Sequence, residues 1–279
     1  MNFFMFGAFV AGFLVVASGY GKEQQIFNEG AQEMTIEASL GNVFTSFEWD
    51  KTTSAQVEVV WKNDKSTSSG WTSHTFSRNG TLLDFDDIKT PTFLTNITTN
   101  KNMTFSSFKV LNVPLALKAG LLDTEDANAA TSLPNALLGS RAFSSPSHIT
   151  IPRIYVSNNC SSPKVNCKND FPYRFEAVSM SIKPLGYIEK GESVHMDING
   201  WQFEGEEVAK WYEFSIIFFG PGRVGRGRLG LEQWGEGKGI NVLETKFTGG
   251  DGSDWLFAVD DLVVDFMDEE DEREGKQNK

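Results

Sequence analysis

Two stretches carry the side chains best suited to gripping a sugar: SVHMDINGWQF, with Asp197, Asn199 and Trp201, and RGRLGLEQW, with Arg226, Arg228 and Trp234. Sugar rings present apolar faces rimmed by hydroxyls. An indole platform flanked by carboxylate, amide and guanidinium groups matches both. In the first stretch Val194, Met196 and Ile198 point one way, and His195, Asp197, Asn199 and Trp201 the other. In the second, Leu229 and Leu231 face inward, and Arg226, Arg228, Glu232 and Trp234 outward. These six residues are the expected ligand contacts. The competing account is an ordinary solvated face with Trp201 packed under a turn.

Signals for catalysis are weaker. The chain has three histidines, His74, His148 and His195, and no HExxH. Ser193 and His195 share a strand face, but the Gly191-Glu-Ser193-Val-His195 stretch lacks the final glycine of a nucleophile elbow, and no third group or oxyanion hole can be placed. A glycosidase needs two carboxylates at a set separation, which sequence does not give. Gly220-Pro-Gly-Arg-Val-Gly matches a dinucleotide fingerprint in form only: a strand follows it instead of a helix, so a hairpin turn is the reading. Arg223, Arg226 and Arg228 around it are suited to an acidic polysaccharide. No catalytic residue is assigned.

Two acidic strands organise the rest. DGSDWLFAVDDLVVDF (251–266) reads as a turn entering a long apolar strand with Asp260 and Asp261 in its middle, and LLDFDDI (82–88) places Asp84, Asp86 and Asp87 after apolar residues. A carboxylate inside an apolar strand is costly unless satisfied. The two segments are expected to be the first and last strands of one sandwich. Neighbours on a strand face opposite ways, so Asp260 and Asp261 act together only across a bulge.

The surrounding elements are mostly strands. Val43 to Trp61 is β-rich, and 65–80 is a Ser/Thr-rich linker or an internal loop. Phe105 to Val113 reads as one short strand, 115–130 as a helical turn or two, and 123–141 as a long surface loop. From Phe175 onward four successive segments alternate with period two, which fits an antiparallel sandwich; no amphipathic helix or βαβ unit appears. The expected divisions are a signal peptide over 1–19, an N-terminal β-rich segment with linker over 20–80, a jelly-roll β-sandwich over 81–267, and a disordered acidic tail over 268–279.

Compartment and partners follow from composition. The 279 residues carry a net charge of −12, which argues against nucleic acid as a partner. MNFFMFGAFVAGFLVVASG has the length of a signal-peptide core, with Ala17 and Gly19 near a cleavage point but no basic residue before it. A buried N-terminal strand or an uncleaved anchor is the alternative; after cleavage no membrane span is expected. Secretion suits a local disulfide between Cys160 and Cys167 and N-glycans at Asn79, Asn96, Asn102 and Asn159.

The order of features — an FDD strand, a loop-rich region, F-x-A-V-S-M-S, a strand ending N-G-W with F-x-G-E-E beyond, and FAVDDLVVDF — resembles secreted fungal proteins with a galactose-binding-like jelly roll, related in shape to carbohydrate-binding modules. The likeness spans about 82–266. It implies an all-β antiparallel jelly-roll sandwich and a structural calcium between first and last strands, with Asp84, Asp86, Asp87, Asp260 and Asp261 as the positions to consider. Calcium takes six to eight oxygen ligands; the alternative is that one aspartate of each pair faces water and the other caps a turn. The functional expectation is a secreted, non-catalytic protein contacting cell-wall or extracellular carbohydrate. A polysaccharide lyase or glycosidase on the same fold, or a host-interaction or adhesion protein, are the other two readings.

Overall fold

The structure, a computed structural model, describes residues 23–25, 34–40, 43–49, 56–63, 80–144, 150–157, 173–204, 207–231 and 239–267. The leader, most of the linker, Asn79, Asn159, Cys160, Cys167, Trp234 and the acidic tail lie outside these residues.

Alternating side chains build two large antiparallel sheets, beside a two-stranded ribbon of β13 (Tyr187–Ile188) and β16 (Gly222–Arg223). In one, the spatial order is β1 (Glu23–Gln25), β4 (Gln56–Asn63), β15 (Glu207–Phe219), β14 (Ser193–Glu204), β18 (Val242–Gly249), β11 (Arg153–Val156), β8 (Met103–Ser106) and β7 (Thr99–Asn100). In the other it is β2 (Met34–Leu40), β3 (Val43–Trp49), β17 (Gly227–Gly230), β12 (Phe175–Pro184), β19 (Phe257–Phe266), β10 (Asn135–Gly139), β9 (Phe108–Asn112) and β6 (Leu94–Asn96), with β5 (Thr81–Leu83) also paired to β19. Taken rank by rank, the two orders match chain neighbours: β4 with β3, β15 with β17, β14 with β12, β18 with β19, β11 with β10, β8 with β9. The chain therefore crosses between sheets repeatedly, which is jelly-roll connectivity. The fold is an all-β antiparallel sandwich, as the strand periodicity predicts.

The inward faces of β14 (Val194, Met196, Ile198) and β15 (Tyr212, Phe214, Ile216, Phe218) are buried in one core with Met180, Ile182, Val259 and Leu262 of the opposite sheet. Phe85, Phe105, Phe108 and Phe257 pack edge to face in a chain through that core, and Phe247 stacks on Phe257. Edge-to-face rings each contribute about 1 kcal/mol beyond their buried area.

The expected acidic strands do pair: Leu83 of β5 stands opposite Leu262 of β19. The first differs from expectation in two ways: four strands precede it among the described residues, and it ends at Leu83, before Asp84, Asp86 and Asp87, as the chain turns at Phe85, which has a φ of 62° and is fully buried. The strand expected over Phe105 to Val113 is two strands in different sheets, divided at Ser107, whose φ is also 62°. Its hydroxyl is tied to that of Thr150 at 2.7 Å. The loop expected over 123–141 contains β10, with all five residues buried. Leu137 faces the main core, while Ala136 and Leu138 face a second apolar cluster, so both faces are covered and no alternation shows in the sequence.

That second cluster lies under a short cap on the outer face of the nine-stranded sheet. The cap comprises α1 (Val113–Lys118) and a 3₁₀ turn over Thr124–Ala129, in keeping with the helical turns expected at 115–130. Asn112 starts α1 by accepting the Leu115 amide at 3.0 Å, with a proline in the first turn. β3 pairs with β17 and β4 with β15, so the strands of 20–80 extend the two sheets. Among the described residues no helix is long and apolar enough to cross a membrane.

Candidate functional site

The outer face of the eight-stranded sheet brings Asp197, Asn199 and Trp201 together, because β14 turns its aliphatic residues to the core. Antiparallel register then sets their cross-strand neighbours. Trp201 stands opposite Val242 of β18, which stands opposite Tyr155 of β11. The two aromatics thus lie two strand spacings apart, about 10 Å, on either side of a valine that is buried but belongs to neither apolar cluster.

The next row runs Glu213, Asn199, Glu244, Arg153, Ser106. Arg153 Nε donates to Glu244 Oε2 at 2.8 Å. In the row beyond, Asp197 accepts the Ser215 hydroxyl at 2.6 Å and pairs with Lys246 at 3.2 Å. At the far end Ser193 Oγ lies 3.2 Å from His195 Nε2. The face therefore offers half-buried rings beside a row of amide, carboxylate and guanidinium groups in which Glu244 pairs with Arg153.

Arg226 and Arg228 do not join it. Arg228 lies on β17 of the other sheet, and Arg226 immediately precedes that strand. Arg228 is exposed on β17 and reaches Ser179 Oγ at 3.5 Å; Arg226 donates to the Ala130 carbonyl at 3.2 Å. Alternation gave their outward direction correctly but not which sheet they were outward from. The six expected contacts thus resolve into Asp197, Asn199 and Trp201 on one face, two arginines on another, and Trp234 outside the described residues.

The five aspartates considered for calcium are also dispersed. Asp84 pairs with Lys101 at 3.4 Å. Asp86 accepts the Asn135 amide at 3.0 Å. Asp87 is exposed. Asp260 and Asp261 sit at a pair of compensating bulges: β12 has an extra residue at Val178 and β19 has one at Asp261, whose φ is 46°. The bulge lets Val259 and Leu262, three apart, both reach the core, and turns Asp260 to the capped outer side. Among the described residues no three acidic, histidine or cysteine side chains group to hold a metal.

Asp260 itself is fully buried. One oxygen, Oδ2, accepts the amides of Thr131 at 2.7 Å and Ser132 at 3.2 Å; the other, Oδ1, has no hydrogen-bond partner. Burial pushes its pKa up to about 7, against the downward pull of the Asp261, Thr131 and Ser132 amides, and Asp261 adds like charge. Nearby, the buried Lys183 Nζ lies 3.2 Å from Asp126 Oδ1 and donates to the Val224 carbonyl at 3.2 Å. Asp126 Oδ2 takes Arg223 at 3.1 Å and the Gly186 amide at 3.0 Å, and Arg223 also reaches Asp123. Sequence reasoning missed this ionic seat. Its available signal was Lys183 at the end of FEAVSMSIKP, a cation where both neighbours are apolar.

Of the sequons within the described residues, Asn96 and Asn102 are both exposed, Asn102 on the turn between β7 and β8 with a φ of 65°.

No protein-family model matches the chain, and no curated protein matches it. A crystal structure to which it is similar is that of a DUF4465 family protein from Bacteroides caccae, at 10% sequence identity and a TM-score of 0.39, covering 70% of this chain and 96% of that one. A likeness at this level carries no argument about function.

Proposed function

We propose that this is a secreted, non-catalytic binding protein, similar in role to a carbohydrate-binding module, that contacts extracellular or cell-wall carbohydrate through the outer face of the eight-stranded sheet. The observation that carries the reading is the placement of Trp201 and Tyr155 on either side of Val242, next to the Asn199–Glu244–Arg153 row. Two rings about 10 Å apart can each stack on an apolar sugar face along an extended chain, and the adjacent polar row suits the hydroxyls.

Charge pairing supports binding over catalysis. A lyase or glycosidase needs an acid or base whose proton is available, whereas Asp197 is held by Lys246 and Ser215, and Glu244 by Arg153. Calcium forms no part of the proposal. The apolar leader and the exposed Asn96 and Asn102 support the secreted location.

Retention of the glycosylated protein on insoluble plant and fungal polysaccharides tests the reading. Retention on at least one polymer, lost in Trp201→Ala and in Tyr155→Ala, is the expected result. Failure to bind any polymer overturns the carbohydrate reading, and release of soluble sugar from a bound polymer overturns the non-catalytic one.

A further inference from the structure

The cap on the nine-stranded sheet is fastened by different chemistry at its two ends. At one end Lys183 and Arg223 hold Asp126 and Asp123 as ion pairs. At the other, the Thr131 and Ser132 amides hang from a single oxygen of Asp260, and Arg226 holds only the Ala130 carbonyl. Asp260 is fully buried, its second oxygen has no hydrogen-bond partner, and the buried Ser132 hydroxyl has none either. A neutral carboxyl tolerates that seat. A carboxylate there carries a charge with half its acceptor capacity unmet, which is far more costly.

We propose that the 128–134 end of the cap is a proton-held cover: it is held most firmly while Asp260 carries a proton and opens more readily once that proton is lost. Lifting admits water to the carboxylate and bares a strip of the outer sheet face that includes Ser181, Ala258 and Leu138. That strip is therefore bared more often above neutrality than in acidic surroundings.

The charges around Asp260 leave its proton as the variable one. Asp261 on the same strand adds like charge. On β12, Ser181 stands directly opposite, and Lys183 is already committed to Asp126. Arg228 of β17 is opposite Ser181 but exposed, and Arg226 is engaged by Ala130. From the 3₁₀ turn, Asp126 faces Lys183 and Arg223, and Glu125 contributes its carbonyl to Lys183. β10 contributes no titratable group, and beyond β5 Asp84 and Asp86 are held by Lys101 and the Asn135 amide.

Linkage sets the size of the effect. With the carboxyl near 7 when covered and near 3.8 when open, the closing equilibrium weakens about tenfold between pH 6 and pH 8. Hydrogen exchange of the full chain at those two pH values, corrected for intrinsic rates, reads it at the Thr131 and Ser132 amides. The expected result is about tenfold loss of protection in the wild type and none in Asp260→Asn, with Ala119 and Leu121 at the ionic end unchanged in both. Equal loss in Asp260→Asn, or no loss in the wild type, overturns the proposal. Should the variant not fold, the Asp260 carboxyl carbon shift in the wild type decides: a midpoint near 7 supports it, and one below 5 overturns it.

Discussion

Lys183 and Asp126 form an ion pair of 3.2 Å with both side chains almost wholly shielded from water. It joins a central strand of one sheet to a cap more than fifty residues away in sequence. Removing one member leaves the other charge buried, so Asp126→Ala is expected to cost about 3–5 kcal/mol, read by urea unfolding. Replacing both, as Lys183→Met with Asp126→Leu, is expected to recover most of that loss, because the pair's attraction mainly offsets its own desolvation. A double variant no more stable than the single one would show the pair to be a net contributor.

Asp260 makes stability depend on pH in the direction opposite to most aspartates. Its folded pKa, about 7, lies above the ordinary 3.8. Its favourable contribution is therefore complete below about pH 4 and is lost as pH rises to 7. Asp260→Asn is expected to flatten that slope and to be more stable than wild type at pH 8, by roughly 4 kcal/mol at most. Denaturant midpoints at pH 5, 6, 7 and 8 in the two proteins check it.

Gly139 is where β10 passes the ring of Phe257, and a methyl group added there would be driven into the ring carbons. Gly139→Ala is expected to destabilise by about 1–3 kcal/mol through overpacking, seen as a lower urea midpoint. Gly120, at the end of α1, has a φ of 69° but open space around it, so its alanine variant tests backbone strain alone.

The two groups of sequence-predicted contacts are separable by mutation. Trp201→Ala is expected to reduce polysaccharide retention by tenfold or more, and Arg228→Ala to leave it unchanged, since Arg228 stands on the opposite sheet. Loss of retention in Arg228→Ala alone would move the site to the capped side.

Expression through a eukaryotic secretory route is expected to add glycans at Asn96 and Asn102, both exposed. Mass spectrometry after enzymatic deglycosylation reports occupancy residue by residue. Unmodified asparagine at both positions in exported protein would count against the secreted reading.

The sandwich was legible wherever one face of a strand meets water. β14 alternates cleanly for that reason, and its inward residues Val194, Met196 and Ile198 are those expected from the pattern. β10 was illegible because a core lies on one side and a cap on the other. The break at Ser107 was illegible for a different reason: a left-handed serine carries no signal in a run of strand-forming residues. The same limit applies to the candidate site. Alternation placed Asp197, Asn199 and Trp201 on one face, but sheet membership is a long-range property, so Arg228 was assigned to a face it does not share. The bulge at Asp261 was anticipated only as a condition for two adjacent aspartates to act together; the structure contains it and uses it to turn Asp260 under the cap.

The place of β19 has a consequence for synthesis. Last in sequence among the described strands, it sits in the middle of its sheet, flanked by β12 on one side and by β10 and β5 on the other. Until it emerges from the ribosome, the two halves of that sheet have nothing to join them, and their hydrogen-bonding edges stay open. Long-range pairing of this kind is slow and leaves partly built chains prone to aggregate. A nascent chain stalled or truncated before Phe257 would therefore be a client for chaperones or proteases rather than a smaller working protein.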